Sequence, residues 1–225
     1  MSDNLLSRIP EPELMEEAEQ AKAYAEADFT EPHNMFVEAF RQRLGHLVSG
    51  TFLDLGCGTG DITCRFAVAF PRVEIHGIDG SKAMLTYAER TIKAWKIQER
   101  ITLVHATIPL KVLPLDKYNG IIVNSLLHHL RDPLVLWQTI KQWAANKAPI
   151  FVMDLLRPQS KEIAKKIVET YSGKEAEILK RDFYRSLLAA YRIDEVASQL
   201  RQAGLDYLHT EVISDRHFIV WGRLG

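Results

Sequence analysis

The residues best suited to chemistry form a short loop at positions 54–60, Asp-Leu-Gly-Cys-Gly-Thr-Gly. Glycines in such a loop permit positive φ angles and let a ligand come close to the backbone. An apolar run precedes the loop and a helix-forming run follows it. A helix that begins there presents unpaired N–H groups at its N-terminus. The pattern predicts a strand–loop–helix unit that holds a ligand at the end of a strand.

The spacing of the glycines and the charges around them narrow the ligand class. A dinucleotide-binding loop has the pattern G-x-G-x-x-G, but counting from Gly56 the third glycine would fall at Asp61. Asp54 and Asp61 flank the loop, and carboxylates suit a ligand with a cationic group better than a pyrophosphate. No Gly-Lys-Ser or Gly-Lys-Thr follows, which excludes a P-loop. S-adenosylmethionine, which carries an ammonium and a sulfonium but no phosphate, fits these features.

Asp79 ends the next apolar run and lies nineteen residues beyond Gly60. An acidic residue about 20 residues after a glycine loop, at the tip of the second strand, is placed to bind both ribose hydroxyls. A turn or helix-capping role is the alternative for an isolated aspartate. The separation from the glycine loop favours the ribose role.

The elements that position these residues alternate between strands and helices from residue 51 onward. Alternation of short strands with helices predicts parallel βαβ units and a doubly wound α/β sheet. Only three residues separate the last two strands, which predicts an antiparallel hairpin. The predicted strands cover 51–55, 73–78, 101–106, 120–125, 149–155, 207–213 and 217–221, and the helices between them cover 61–70, 81–95, 133–145 and 194–203.

Two helical segments interrupt or precede this alternation. Residues 157–190 contain no strand-like run and predict a helical insertion after strand 5. Residues 1–48 predict a helical cover on a domain that spans 49–225, with helices over 13–27 and 38–48. Pro12 is placed to start the first helix, and Leu47 is expected on the inner face of the second. The first helix is expected to dock on the domain, with a lid over a ligand as the alternative.

The loop at 54–60 followed by Asp79 resembles the class I S-adenosylmethionine-dependent methyltransferases over about residues 45–225. The resemblance implies a Rossmann-like sheet of seven strands with the last one antiparallel. It also implies that S-adenosylmethionine is the cofactor and S-adenosylhomocysteine the product. The roles it implies are a methionine and ribose pocket shaped by Gly56, Gly58 and Gly60, an amino-acid contact from Asp54, a ribose contact from Asp79, and adenine-side contacts from Gly80 and Met84.

The sequence departs from this family after strand 3. Many members have an acidic residue there that meets the adenine amino group, whereas this chain has His105 and Ala106. The resemblance therefore implies that His105 replaces the acid or that the backbone near Ala106 makes the adenine contact.

Strand 4 runs into Asn124 and then into the adjacent pair His128 and His129. The carboxyl ends of parallel strands line the ligand crevice, so this segment is expected beside the cofactor. Either histidine is a candidate general base, with ordinary packing as the alternative. We expect no metal site, because adjacent side chains rarely point the same way and no third ligand is evident. The Leu-His-His-Leu segment resembles small-molecule methyltransferases of the ubiquinone and menaquinone type.

Candidates for binding the methyl acceptor come from three other segments. Asp154 and Arg157 follow strand 5 at the same sheet edge, where they bind a polar substrate or form an ion pair. A predicted aromatic wall at the insertion consists of Phe183, Tyr184, Leu187 and Tyr191, with helix packing as the alternative. Further substrate-side candidates are Tyr24 in the N-terminal cover and Arg216 and His217 in the terminal hairpin.

The composition limits the remaining function classes. The 225 residues carry a formal net charge of −1, and nucleic-acid binders usually carry a basic excess. Two cysteines exclude a disulfide scaffold and a zinc ribbon, and no apolar run can span a bilayer. We therefore expect a cytoplasmic methyltransferase acting on a small molecule. A non-methylating protein that binds S-adenosylmethionine is the alternative, and a nicotinamide dehydrogenase is disfavoured by the glycine spacing.

Overall fold

The computed structural model describes residues 6–12 and 17–225. These residues form seven strands and eight α-helices. The strands are β1 (Gly50–Leu55), β2 (Val73–Asp79), β3 (Ile101–His105), β4 (Gly120–Asn124), β5 (Pro149–Leu155), β6 (His209–Val212) and β7 (His217–Arg223). The helices are α1 (Ala18–Glu26), α2 (Thr30–Leu44), α3 (Asp61–Ala69), α4 (Lys82–Trp95), α5 (Leu134–Trp143), α6 (Lys161–Ser172), α7 (Glu177–Ala189) and α8 (Ile193–Ala203).

The strands form one sheet in the order β3-β2-β1-β4-β5-β7-β6. Strands β1 to β5 are parallel, whereas β7 pairs antiparallel with both β5 and β6. This arrangement confirms the predicted doubly wound sheet and its antiparallel last strand. Every residue of β5 is buried, as expected for a central strand that is covered on both faces.

Two apolar layers cover the faces of the sheet. On one face, Phe40 of α2 packs edge-on against Phe66, Phe70 and Phe151, with ring centroids 4.7 to 5.5 Å apart. On the other face, α5 and α8 bury Trp137 and Leu200 against the sheet. In the part of the chain that is described, no helix has both the length and the apolar character needed to cross a membrane.

The N-terminal helices differ from the prediction. Helix α2 begins at Thr30 rather than residue 38, because Pro32 lies in its first turn, where backbone N–H groups have no helical partner. Gly45, with φ of 86°, ends this helix before Leu47, which is 74% exposed instead of buried. Helix α1 begins at Ala18 because Glu17 has an extended backbone. Residues 13–16 of the predicted first helix lie outside the described residues.

The predicted insertion consists of α6 and α7, which pack on each other through Ala164, Ile167, Leu187 and Leu188. Residues 6–12, here called the strap, run along this pair. The N–H of Ile9 donates to the carbonyl of Leu188 at 2.9 Å. Helix α1 also contacts α7, so the strap and α1 both lie against the insertion.

The packing of α2 gives a stability prediction. Phe40→Ala removes a fully buried ring, so the free energy of unfolding should fall by about 3–5 kcal/mol. Leu47→Ala changes an exposed side chain and should shift the free energy of unfolding by no more than about 0.5 kcal/mol. Urea unfolding followed by circular dichroism measures both. Equal losses from the two variants would contradict the register of α2.

Candidate active site

The loop between β1 and α3 is bound to the end of β2 through its backbone. The N–H groups of Gly56 and Cys57 both donate to the carbonyl of Ile78, at 2.8 and 3.0 Å. A Cβ at Gly56 would lie 3.1 Å from the side chain of Leu126, and a Cβ at Gly60 would lie 3.2 Å from Ala88. Gly58 instead has open space where its Cβ would be. The outer glycines therefore allow close packing, and Gly58 exposes its backbone to the adjoining cavity.

Asp79, at the end of β2, holds two backbone groups. Its carboxylate accepts the N–H of Gly58 at 2.9 Å and the N–H of Ser81 at 2.8 Å, one on each oxygen. Burial raises the pKa of Asp79, and these two N–H groups oppose the shift. Each carboxylate oxygen can accept more than one hydrogen bond. Asp79 can therefore receive hydroxyl groups from a ligand while it still supports the loop.

Asp54 lies behind the glycine loop and is 1% exposed. Its carboxylate accepts the hydroxyl of Thr63 at 2.6 Å. Burial raises the pKa of Asp54 to about 7, although the Thr63 hydrogen bond lowers it. The side chain borders a small recess that it shares with Gly56 and Gly58.

A cavity of about 590 Å3 lies over the carboxyl ends of the parallel strands. This volume is within the range of sites for small ligands and cofactors. Four parts of the chain form its walls: the strand ends and their loops, the N-terminal helices, the insertion and the terminal hairpin. Lining residues from these parts include Asp79, Asn124, Tyr24, Phe29, Phe183, Ser186, Arg216 and His217.

The cavity has the chemical features that S-adenosylmethionine requires. The Oδ1 atom of Asn124 is buried and has no hydrogen-bond partner among the described residues, while Nδ2 donates to Ser125. Such an atom can accept a hydrogen bond from a ligand. Gly58 offers an unobstructed backbone, and Asp79 offers acceptors for a ribose diol. The donors and acceptors present therefore fit the cofactor.

The structure brings most of the predicted cofactor residues to this cavity. Gly80, Met84, Ala106 and Asn124 all line it. His105 is different: its Nε2 atom lies 2.9 Å from the carbonyl of Gly80, and the side chain is not part of the cavity wall. His105 therefore braces the loop after β2, and its contact with the adenine stays a prediction.

The first of the two histidines is held by a buried carboxylate. Both histidines lie in a 3-10 turn, Leu127–His129, that follows β4. The Nδ1 atom of His128 lies 2.6 Å from Oδ1 of Asp154, and Oδ2 of Asp154 accepts the N–H of Leu127 at 2.7 Å. The alternative of an ion pair between Asp154 and Arg157 is therefore wrong, and substrate binding by either residue stays a prediction. Arg157 instead forms an ion pair with Glu195 and donates to the carbonyl of Ala190.

The two histidine rings face the same carboxylate, which corrects the expectation that adjacent histidines diverge. Their centroids are 4.2 Å apart with an interplanar angle of 34°. Oε1 of Glu11, in the strap, lies 3.5 Å from Nε2 of His128 and 3.4 Å from Nδ1 of His129. The hydroxyl of Ser186 donates to the same oxygen at 3.0 Å. No sequence pattern links Glu11 to residues 117 positions away.

Burial and charge give these groups different proton affinities. Burial opposes the protonation of His128, but the carboxylates of Asp154 and Glu11 outweigh it and raise the pKa. Burial, and then the charge of His128, lower the pKa of His129 to about 3. Burial favours a higher pKa for Asp154, but His128 holds it below its usual value. Burial raises the pKa of Glu11.

The predicted acceptor-binding residues lie in different places. Tyr24 lines the cavity, and burial, followed by the charge of Asp61, raises its pKa to about 12. Tyr191 donates its hydroxyl to the carbonyl of Leu130, and Tyr184 packs in the apolar cluster of the insertion. Neither they nor Arg157 belong to the described cavity wall. Phe183 is the member of the predicted aromatic wall that reaches the cavity.

Comparison with protein families assigns part of the chain directly. Residues 53–150 match the methyltransferase domain family. This range begins in β1, includes the glycine loop and Asp79, and ends in β5.

Curated relatives point to the same class. The chain is 28% identical over 167 residues to 27-O-demethylrifamycin SV methyltransferase of Amycolatopsis mediterranei. The aligned region covers 72% of this chain and 56% of that protein. It is 27% identical over 116 residues to a ubiquinone/menaquinone biosynthesis C-methyltransferase of Syntrophotalea carbinolica, covering 52% of this chain and 48% of that protein. The chain therefore spans about half the length of these two relatives.

Solved structures share the fold. A S-adenosylmethionine-dependent methyltransferase from Aquifex aeolicus superposes with a TM-score of 0.69 at 16% identity, covering 94% of this chain and all of that one. The plantazolicin methyltransferase BpumL, solved with S-adenosylhomocysteine, gives a TM-score of 0.70 at 13% identity, covering 92% and 90%. The chain therefore shares the fold of S-adenosylmethionine-dependent methyltransferases. Its methyltransferase domain match spans residues 53–150.

The environment of Asp54 gives a pH prediction. Its folded pKa of about 7 exceeds the unfolded value of about 3.9, so the folded state binds the proton more tightly. Stability from this group is present at low pH and is lost as the pH rises from about 4 to about 7. The asparagine in Asp54→Asn does not titrate, so the variant does not lose stability in this way. Its free energy of unfolding relative to wild type should therefore rise by up to about 1.4 kcal/mol per pH unit. Urea unfolding between pH 5 and 8 measures the difference, and parallel stability curves would contradict the assigned burial effect.

Proposed function

We propose that the chain transfers a methyl group from S-adenosylmethionine to a small molecule bound in the cavity. One observation carries the proposal: a single cavity joins Asp79 and the glycine loop to the His128 and His129 turn. Asp79 and the glycine loop suit a nucleoside. The turn that carries His128 and His129 suits the end of the cavity where the methyl group would be transferred, here called the reacting end. Cofactor and acceptor would meet inside one shared cavity.

The cofactor roles follow from the contacts of each residue. Asp79 would bind the ribose hydroxyls, and Gly80, Met84 and Ala106 would border the adenine. The backbone of Gly58 and the free Oδ1 atom of Asn124 would contact the methionine side. Gly56 and Gly60 would shape this side of the site by allowing close packing. Asp54 would act from behind the loop on the cationic amino group, directly or through water.

The reacting end would lie at His128, with His129 beside it. Asp154 fixes the ring of His128 from below, so this side chain is an ordered surface against which an acceptor can be aligned. The sulfonium is already an activated methyl donor. Alignment of nucleophile, methyl and sulfur can therefore supply much of the rate, roughly 7–11 kcal/mol in favourable cases.

The acceptor is proposed to be a small molecule with apolar and polar parts. Tyr24, Phe29 and Phe183 supply aromatic walls, and Arg216 and His217 supply polar ones. The rifamycin and quinone methyltransferases among the relatives support this class by analogy. The near-neutral net charge argues against a nucleic-acid acceptor. The two described cysteines are unpaired, which supports the cytoplasm as the proposed location.

A protein that binds S-adenosylmethionine without transferring its methyl group is the second candidate. The observation that favours it is Glu11, whose Oε1 atom lies 3.5 Å from Nε2 of His128 and 3.4 Å from Nδ1 of His129 and would compete with an acceptor beside them. A strap that never leaves would block transfer.

Cofactor binding is tested by isothermal titration with S-adenosylhomocysteine. Asp79→Ala removes the ribose acceptor and should weaken binding at least about tenfold, because hydrogen bonds to charged groups contribute roughly 1.5–3 kcal/mol. Asp206→Ala, which removes an exposed aspartate outside the cavity, is the matched control and should bind like wild type. Equal affinity in Asp79→Ala would remove the ribose assignment, and no binding by wild type would refute the proposed function.

Methyl transfer is tested with S-adenosylmethionine labelled in its methyl group and an extract of small molecules. Mass spectrometry should find a labelled product with wild type that is absent with Asp79→Ala. If wild type binds S-adenosylhomocysteine but labels nothing, the non-methylating alternative is favoured.

A further inference from the structure

Three potential metal ligands converge at the reacting end of the cavity. Oε1 of Glu11 lies 3.5 Å from Nε2 of His128 and 3.4 Å from Nδ1 of His129, and all three groups fall within 4.8 Å of one another. Ligand atoms bound tetrahedrally at about 2.0–2.2 Å from zinc are roughly 3.3–3.6 Å apart. The carboxylate therefore stands at the spacing from each ring nitrogen that a shared ion requires.

The surroundings of this cluster resemble the support that metal ligands need. Asp154 binds Nδ1 of His128, which leaves Nε2 facing Glu11. A carboxylate behind a metal-binding histidine fixes the ring and its tautomer. Ser186 donates to Glu11 and so orients that ligand as well. Both the histidine and the carboxylate are thus held by partners outside the cluster.

Glu11 is brought to the histidines by the anchored strap. The guanidinium of Arg8 donates to the carbonyls of His128 and Leu130, both at 2.9 Å, and to that of Ala189 at 2.6 Å. It also stacks 4.1 Å from the ring centre of Tyr191. Arg8 therefore binds the backbone of the same turn that carries the histidines, so the strap and the turn are positioned together.

We propose that Glu11, His128 and His129 bind one divalent transition-metal ion, with Zn2+ as the best-fitting member. Two imidazoles and one carboxylate suit zinc, and three protein ligands leave a fourth position open, as in catalytic sites. His128, His129 and Ser186 line the cavity, so the open position faces the proposed acceptor. An oxygen or nitrogen of the acceptor in that position would be oriented and polarised by the ion.

This inference extends the proposed function, because the ion would act on the acceptor of the methyl group. Binding of the ion depends only on the cluster and can be measured without an acceptor. It also gives the strap a role: Glu11 would complete a site rather than block one.

The test is zinc binding by the full chain after metal removal with a chelator. Isothermal titration with Zn2+ should show one site per chain, and Co2+ should give the visible absorption of a tetrahedral complex. His129→Ala and Glu11→Gln should each weaken Zn2+ binding at least about tenfold, and Asp154→Asn should weaken it by about 10–100-fold. Glu175→Gln, at a glutamate that lines the cavity outside the cluster, is the matched control and should bind Zn2+ like wild type.

S-adenosylhomocysteine titration of the same samples separates the possible failures. Variants that keep wild-type affinity for S-adenosylhomocysteine are folded, so their loss of Zn2+ binding would support the site. Absence of Zn2+ binding in wild type that binds S-adenosylhomocysteine would overturn the metal site alone. Equal Zn2+ affinity in wild type, His129→Ala and Glu11→Gln would also overturn it. Wild type that binds Zn2+ but not S-adenosylhomocysteine would overturn the proposed function and leave the metal site standing.

Discussion

The parallel arrangement of β1 to β5 is the constraint on which the site depends. Because these strands run the same way, their carboxyl ends meet at one edge of the sheet. The register aligns Leu55 with both Ile78 and Val123, so the glycine loop, Asp79 and Asn124 emerge side by side. Asp154, near the end of β5, joins them from the strand that pairs with β4. Asp79, Asn124 and Asp154 are therefore each fixed by their position in a strand.

The charge of His128 first, and hydrogen bonds after it, lower the pKa of Asp154, whereas burial raises the pKa of Asp54. Asp154 receives N–H groups from Leu127 and Leu155 as well as the ring of His128, and its pKa is lowered. Asp54, comparably buried, receives the hydroxyl of Thr63, and its pKa rises to about 7. The same side chain is thus a fixed anion at the reacting end and a proton-binding group behind the glycine loop. A cationic cofactor near Asp54 would favour the ionised form.

The residues proposed to bind the cofactor could be predicted because the sequence features that indicate them are local. The glycine spacing, the distance to Asp79 and the alternation of strands and helices each depend on a short stretch of chain. The acceptor half depends on contacts between distant segments, so it could not be predicted in the same way. Glu11 approaches His128 only because Arg8 docks the strap on the histidine turn. Arg157 follows β5 at the edge of the sheet where a substrate ligand would be expected. Its guanidinium instead forms an ion pair with Glu195 on α8.

The most direct measurement is a crystal structure of the full chain with S-adenosylhomocysteine. The account predicts ribose hydroxyls on the carboxylate of Asp79, the adenine beside Met84 and Ala106, and the sulfur directed toward the turn that carries His128. That arrangement would show that one cavity serves both halves of a transfer reaction. A nucleoside bound outside this cavity would contradict the account. A sulfur directed away from His128 would contradict it as well.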